Sequence, residues 1–143
     1  MIKVNDYVRS WVQYANNNLS TAEAEMTRKA NPRLRAYEQI MYNCQQSVEK
    51  MLKAFLYHKS DTPWGHDLIV LNTSCSTHDI SFNNIRITKH CAFLNAFISA
   101  RYPDFRQSID AQLAHRAINS AKSVYNFVSL KLGLALFIKD TKV

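Results

Sequence analysis

Glycine and proline are scarce in this chain of 143 residues: glycine occurs only at Gly65 and Gly133, proline at Pro32, Pro63 and Pro103. Multi-strand β folds consume such residues at their many turns, so the scarcity argues against a sandwich or barrel and for long helices with few connections. Cysteine is sparse as well. Cys44, Cys75 and Cys91 make an odd count without a Cys-x-x-Cys pair, which speaks against both a disulfide framework and a zinc site. Cys44 and Cys91 fall on apolar stripes and read as small buried hydrophobes. Long apolar runs are missing too. The longest, residues 132–138, is far below the roughly 20 residues that span a bilayer. Residues 1–6 contain no apolar run of the signal-peptide kind, so a cytoplasmic, reducing setting is expected. Finally, carboxylates are outnumbered: eleven Asp and Glu against eighteen Lys and Arg leave a net charge of +7. A positive field favours phosphates, nucleic acid or an acidic protein partner.

With 47% hydrophobic and 20% charged residues the chain is globular rather than disordered, and its length matches one domain with one core. Periodicity supplies the architecture. Val8, Val12, Ala15, Leu19, Ala22 and Met26 recur at alternating steps of four and three, one face of a helix over residues 5–30. Asn31-Pro32 breaks it. Leu34, Tyr37, Met41, Cys44, Val48, Met51 and Phe55 continue the same rhythm through a second helix over 32–58, with Pro32 at its start. A turn-rich loop over 59–65 leads to a short helix over 66–73, and the polar stretch 72–79 reads as another loop. Ile87, Cys91, Leu94 and Ile98 line a helix over 82–100. Ile109, Leu113, Ala117, Ala121, Val124 and Val128 line the last one, over 105–132, which Gly133 closes. The expected fold is all-α: an up-down-up-down bundle of four long helices plus one short helix, one domain over 1–143 in which 133–143 forms a loose tail.

Several polar residues admit two readings. Gln46, Glu49, Lys50 and Lys53 share one helical sector; they form either the wall of a cleft with lysines toward phosphate, or a solvated charged face. His66-Asp67 either positions a ligand or supplies a helix cap. Arg101 either clamps a phosphate or meets the last carbonyls of its own helix, and Tyr102 either stacks on a base or wedges against the bundle end. Arg28, Lys29, Arg33 and Arg35 form the densest basic patch, read as an RNA or partner contact or as a solvated loop.

The run over residues 44–54 resembles the HEPN (higher eukaryotes and prokaryotes nucleotide-binding) signature Q-x-x-E-K-x-x-K-A, here Gln46, Glu49, Lys50, Lys53 and Ala54. His66-Asp67-Leu68 after Pro63 and Arg101-Tyr102-Pro103-Asp104 are similar to the two family elements that follow, in the same order. Trp11, Ala15, Leu19 and Ala22 resemble the pattern of the family's first helix. The resemblance implies an up-down helical bundle, a homodimer, and pairing with a minimal nucleotidyltransferase in a toxin–antitoxin-like system. It also implies a nucleotide- or RNA-phosphate-binding set of Gln46, Glu49, Lys50, Lys53, His66, Arg101 and Tyr102, without cofactor or metal. Ribonuclease members carry Arg, four to six residues, then His on one helix. Arg86 and His90 have three residues between them and Arg106 and His115 eight, so this chain departs from that pattern.

Four functions follow. The first is a binding and partnering module without established catalysis. The second is a metal-independent ribonuclease with His66 and Arg101 as catalytic candidates. The third is a metal-dependent phosphohydrolase built on the His66-Asp67 and His78-Asp79 dipeptides, for which only His58 offers a further upstream histidine. The fourth is a structural helical adaptor without ligand.

Overall fold

A computed structural model describes residues 2–29, 31, 35–100, 102–104 and 108–137. Its elements are α1 (Asp6–Thr27), α2 (Tyr37–His58), α3 (Leu68–His78), a 3₁₀ turn (Ile80–Asn83), α4 (Ile85–Asn95) and α5 (Ala111–Leu132). The all-α bundle is as expected, and the described residues contain no strand.

Most helices start where a short polar side chain meets orphan N–H groups. Asn5 Oδ1 accepts from Val8 N at 2.9 Å, Asp67 Oδ1 from Ile69 N at 2.9 Å, and Asp110 Oδ1 from Leu113 N at 2.9 Å. α2 lacks such a cap. Its entry is tied to the end of α1 instead: Glu25 accepts from Ala36 N at 3.0 Å, and Arg35 donates to the Glu25 carbonyl at 2.8 Å. Arg28 pairs with the same Glu25 carboxylate. Two members of the basic patch are therefore structural; Arg33 lies outside the described residues, as do Pro32 and Leu34, which were expected at the start of α2.

α2 is the central helix. α1, α3 and α5 all pack on it, and residues 51–56 are buried without interruption. The core gathers Leu19, Met41, Met51, Phe55, Phe82 and Leu94 among others, with Phe55 and Phe82 rings 4.4 Å apart. All three cysteines are buried in it, and burial pushes the Cys91 thiol up to about 12.

Three stretches differ from the periodicity reading. Residues 72–78, expected as a polar loop, continue α3: Thr73, Ser76 and Thr77 turn their hydroxyls onto carbonyls of the preceding turn, and Asn72 donates to the Phe82 carbonyl at 3.1 Å. Hydroxyls bonded back onto their own helix are satisfied there and oppose it only slightly. The helix expected over 82–100 divides into the 3₁₀ turn, α4 and a run of turns, because Asn84 stops the first and caps the second by accepting from Arg86 N at 2.7 Å. Phe97 rather than Ile98 then enters the core, Ile98 being 36% exposed. Past Gly133, whose φ of +67° suits a left-handed cap, the chain folds back: Asn126 Oδ1 accepts from Phe137 N at 2.8 Å, and the Phe137 ring packs on Tyr125. Residues 134–137 are therefore held, and 138–143 lie outside the described residues.

Two partly exposed carboxylates fasten these joints. The Arg28 guanidinium, with the Ala36 N–H, holds Glu25 at about 2, below its ordinary 4.5; the Ser81 hydroxyl and Lys131 hold Asp79 at about 2, below 3.8. A carboxylate whose folded pKa is depressed stabilises the protein above its unfolded pKa and loses that contribution as pH falls toward the folded one. Stability should therefore fall between about pH 4.5 and pH 2, and Glu25→Gln and Asp79→Asn should each flatten that fall in urea midpoints measured against pH.

Candidate functional site

The sector of α2 carrying Gln46, Glu49, Lys50 and Lys53 does not face solvent as a unit. Glu49 is 4% and Lys53 9% exposed, because the neighbouring helices and the loop before α3 close over them. A buried carboxylate needs both counter-charge and donors, and Glu49 has both. Its Oε2 accepts from Lys53 Nζ and from His66 Nδ1, each at 3.0 Å. Its Oε1 accepts from Gln46 Nε2 at 3.3 Å and lies 3.5 Å from Gln45 Nε2. Gln45, fully buried, further accepts from Gln46 at 2.7 Å and donates to the His66 carbonyl at 3.4 Å. The loop is thus attached to α2 through backbone and side chain alike.

A carboxylate only accepts, so His66 Nδ1 carries the proton in this pair. Its other ring nitrogen, Nε2, has no hydrogen bond among the described residues, and the side chain is 67% exposed. A buried carboxylate thereby holds an imidazole with its far edge to solvent. That geometry suits a group that donates to an anion when protonated or moves a proton at Nε2 when neutral.

Aromatic rings flank the cluster. Lys53 Nζ lies 5.9 Å over the Trp11 ring, which stacks on Tyr57 at 5.4 Å beside Tyr7. Trp64, two residues before His66, is 82% exposed. Asp67 caps α3, and Asn95 at the end of α4 both donates to Asp67 Oδ1 at 3.2 Å and accepts from Leu68 N at 2.8 Å. The far end of α4 is thereby brought to the His66 loop.

Of the seven residues singled out in the sequence, Gln46, Glu49, Lys53 and His66 come together. Lys50 turns the other way: its Nζ donates to Asn18 Oδ1 at 2.6 Å, Asn18 donates in turn to Asn43 at 2.8 Å, and burial lowers the lysine's pKa. Tyr102 is exposed beyond α4, and Arg101 lies outside the described residues. Gln45 was missed. Its i, i+4 spacing to Glu49 was the available signal, masked by its place beside the apolar stripe. As for the His-Asp dipeptides, His78 pairs with Asp61 at 2.8 Å while Asp79 caps the 3₁₀ turn. Among the described residues no three His, Cys, Asp or Glu side chains converge as metal ligands. No described helix is long and apolar enough to cross a membrane.

Comparison with known proteins bears on this arrangement. The family model for the HEPN domain matches residues 8–132. The crystal structure of TT1696 from Thermus thermophilus superposes with a TM-score of 0.74 at 23% identity, over 90% of this chain and 100% of that one; at that identity the likeness is one of fold. No curated protein matches the chain.

Removing either end of the Glu49–His66 pair should have unequal effects. Glu49→Ala leaves the Lys53 ammonium buried without a counter-charge, and should cost about 3–5 kcal/mol in urea unfolding. His66→Ala removes a largely exposed ring and should cost under about 1 kcal/mol. Equal losses would show that the loop, rather than the buried charge, carries the energy.

Proposed function

The chain belongs to the HEPN domain family, and from that premise we propose that it is a phosphate-binding module for nucleotide or RNA, with His66 as the principal contact. The observation that carries this reading is the His66 imidazole held by buried Glu49 with Nε2 toward solvent, beside exposed Trp64. The ring edge meets a phosphate oxygen, and Trp64 offers a face on which a base stacks. Gln46 and Lys53 act chiefly by holding Glu49, since Lys53 already faces that carboxylate at 3.0 Å. Arg101, which lies outside the described residues, and Tyr102 enter this reading as the phosphate and base contacts that the sequence suggests. No cofactor is required.

The module works as a homodimer in the cytoplasm and docks a minimal nucleotidyltransferase, in the manner of a toxin–antitoxin pair. Ile69, Val70, Ile80 and Ile85, all about half or more exposed, support an interface on the α3 side, and three buried free thiols suit a reducing compartment. A second reading, ribonuclease action with His66 as proton carrier and Arg101 as phosphate clamp, draws on the same carboxylate–imidazole pair.

Calorimetric titration of AMP and of a short single-stranded RNA should show binding that weakens at least about tenfold in His66→Ala, a change of about 1.4 kcal/mol. Unchanged affinity in that variant would remove His66 from the site. RNA cleaved by the wild type and spared by His66→Ala would establish the ribonuclease reading instead. Light scattering at micromolar concentration should report twice the 16.5 kDa chain mass, and Ile80→Lys/Ile85→Lys should return the monomer; a monomeric wild type would defeat the dimer.

A further inference from the structure

A second basic surface shares no residue with the His66 cluster. Between α4 and α5 runs a hollow of about 520 Å³ lined by Lys89, His90, Phe93, His115, Arg116 and Ser120 among others. It adjoins a smaller one of about 250 Å³ that contains Arg86 and Asn126, and His90 and Ser123 line both. Neither hollow has a carboxylate among its lining residues. Several cations elsewhere are paired: Arg28 with Glu25, Lys53 with Glu49, Lys122 with Glu23, Lys131 with Asp79. Arg86, Lys89 and Arg116 form no ion pair among the described residues, and all three are exposed.

The side chains are also arranged. Arg116 lays its guanidinium 4.0 Å from the Phe93 ring centre, which fixes its plane and leaves its N–H fork unpaired among the described residues. His90 Nδ1 is bonded to Ser120 Oγ at 3.0 Å, which orients the ring. Burial, with Arg86 and Arg116 close by, holds His90 below its ordinary range, so the imidazole is a neutral partner at pH 7. Arg86 and Lys89 are three residues apart on α4, about 4.5 Å along the axis and on neighbouring parts of one helix face. Planar forks bind phosphates and carboxylates alike, but the flat Arg116–Phe93 surface also suits a base, which an acidic protein surface would leave unused.

We propose that this α4–α5 groove is a second, independent phosphate site that holds a nucleotide, free or within a single strand, through Arg86, Lys89 and Arg116, with the Arg116–Phe93 stack under a base. Its ligand class matches that of the His66 reading, but its residues are separate, so either site can fail without the other.

The test is fluorescence anisotropy of the full chain with a labelled single-stranded RNA hexamer, in wild type, Lys89→Gln/Arg116→Gln and His66→Ala backgrounds. The two substituted residues are exposed, and matching melting temperatures confirm folding. In the His66→Ala background, where the groove is the remaining site, Lys89→Gln/Arg116→Gln should weaken the residual binding at least about tenfold and lower its salt slope by about 1.4, at about 0.7 for each lost single-strand phosphate contact. Competition by AMP at micromolar concentration assigns a free nucleotide, and competition by unlabelled hexamer alone assigns a strand; each supports the phosphate site. Unchanged affinity and slope on adding the double substitution to His66→Ala would overturn the proposal, as would polyglutamate competing as well as RNA.

Discussion

The central helix α2 has neighbours on nearly every side, and that placement constrains the rest of the molecule. Over residues 51–56 every side chain is buried, and further back Gln45, Ser47 and Glu49 are buried as well. Apolar side chains there supply the core. Each polar one must find its partner inside the protein, because an unsatisfied buried carboxylate costs far more than a single hydrogen bond gains. Ser47 finds the Ala15 carbonyl at 2.8 Å, and with small Ala15 and Ala22 opposite, α1 approaches closely. Glu49 finds Lys53 and His66, and in doing so draws the loop before α3 onto α2. The same bonds that satisfy the core therefore create the oriented histidine.

Charge is distributed by the same logic. Glu23, Glu25, Glu49, Asp61 and Asp79 form ion pairs, while Asp67 and Asp110 cap helices. These seven carboxylates are thus committed to holding elements together. Part of the cationic excess lies along α4 and α5, where Arg86, Lys89 and Arg116 border hollows with no acid among their lining residues. A basic composition alone predicts attraction to anions in general, whereas an uncompensated groove predicts where the anion sits.

Legibility in the sequence varied with the reach of the interaction. The faces of α1 and α2 were readable because every residue on them answers to one helical period, and Val8, Val12, Ala15, Leu19 and Ala22 are buried as spaced. Gly133 was readable because few residues accept a positive φ. The region 72–100 was less so. A polar composition hid the helical stretch 73–77, whose hydroxyls bond backward onto their own turn, and Asn84 interrupts a segment whose apolar spacing runs on past it.

At the site, the sequence by itself determined which side chains share a sector of α2 and that a histidine follows in the next loop, since both depend on neighbours within about two turns of chain. Tertiary structure alone decided that Glu49 is buried, that His66 reaches it across 17 positions, that Lys50 leaves the cluster for Asn18, and that His90 meets Ser120 across 30. Periodicity defines a direction around one helix axis; what lies in that direction depends on which other helices pack there, and that is a property of the whole bundle.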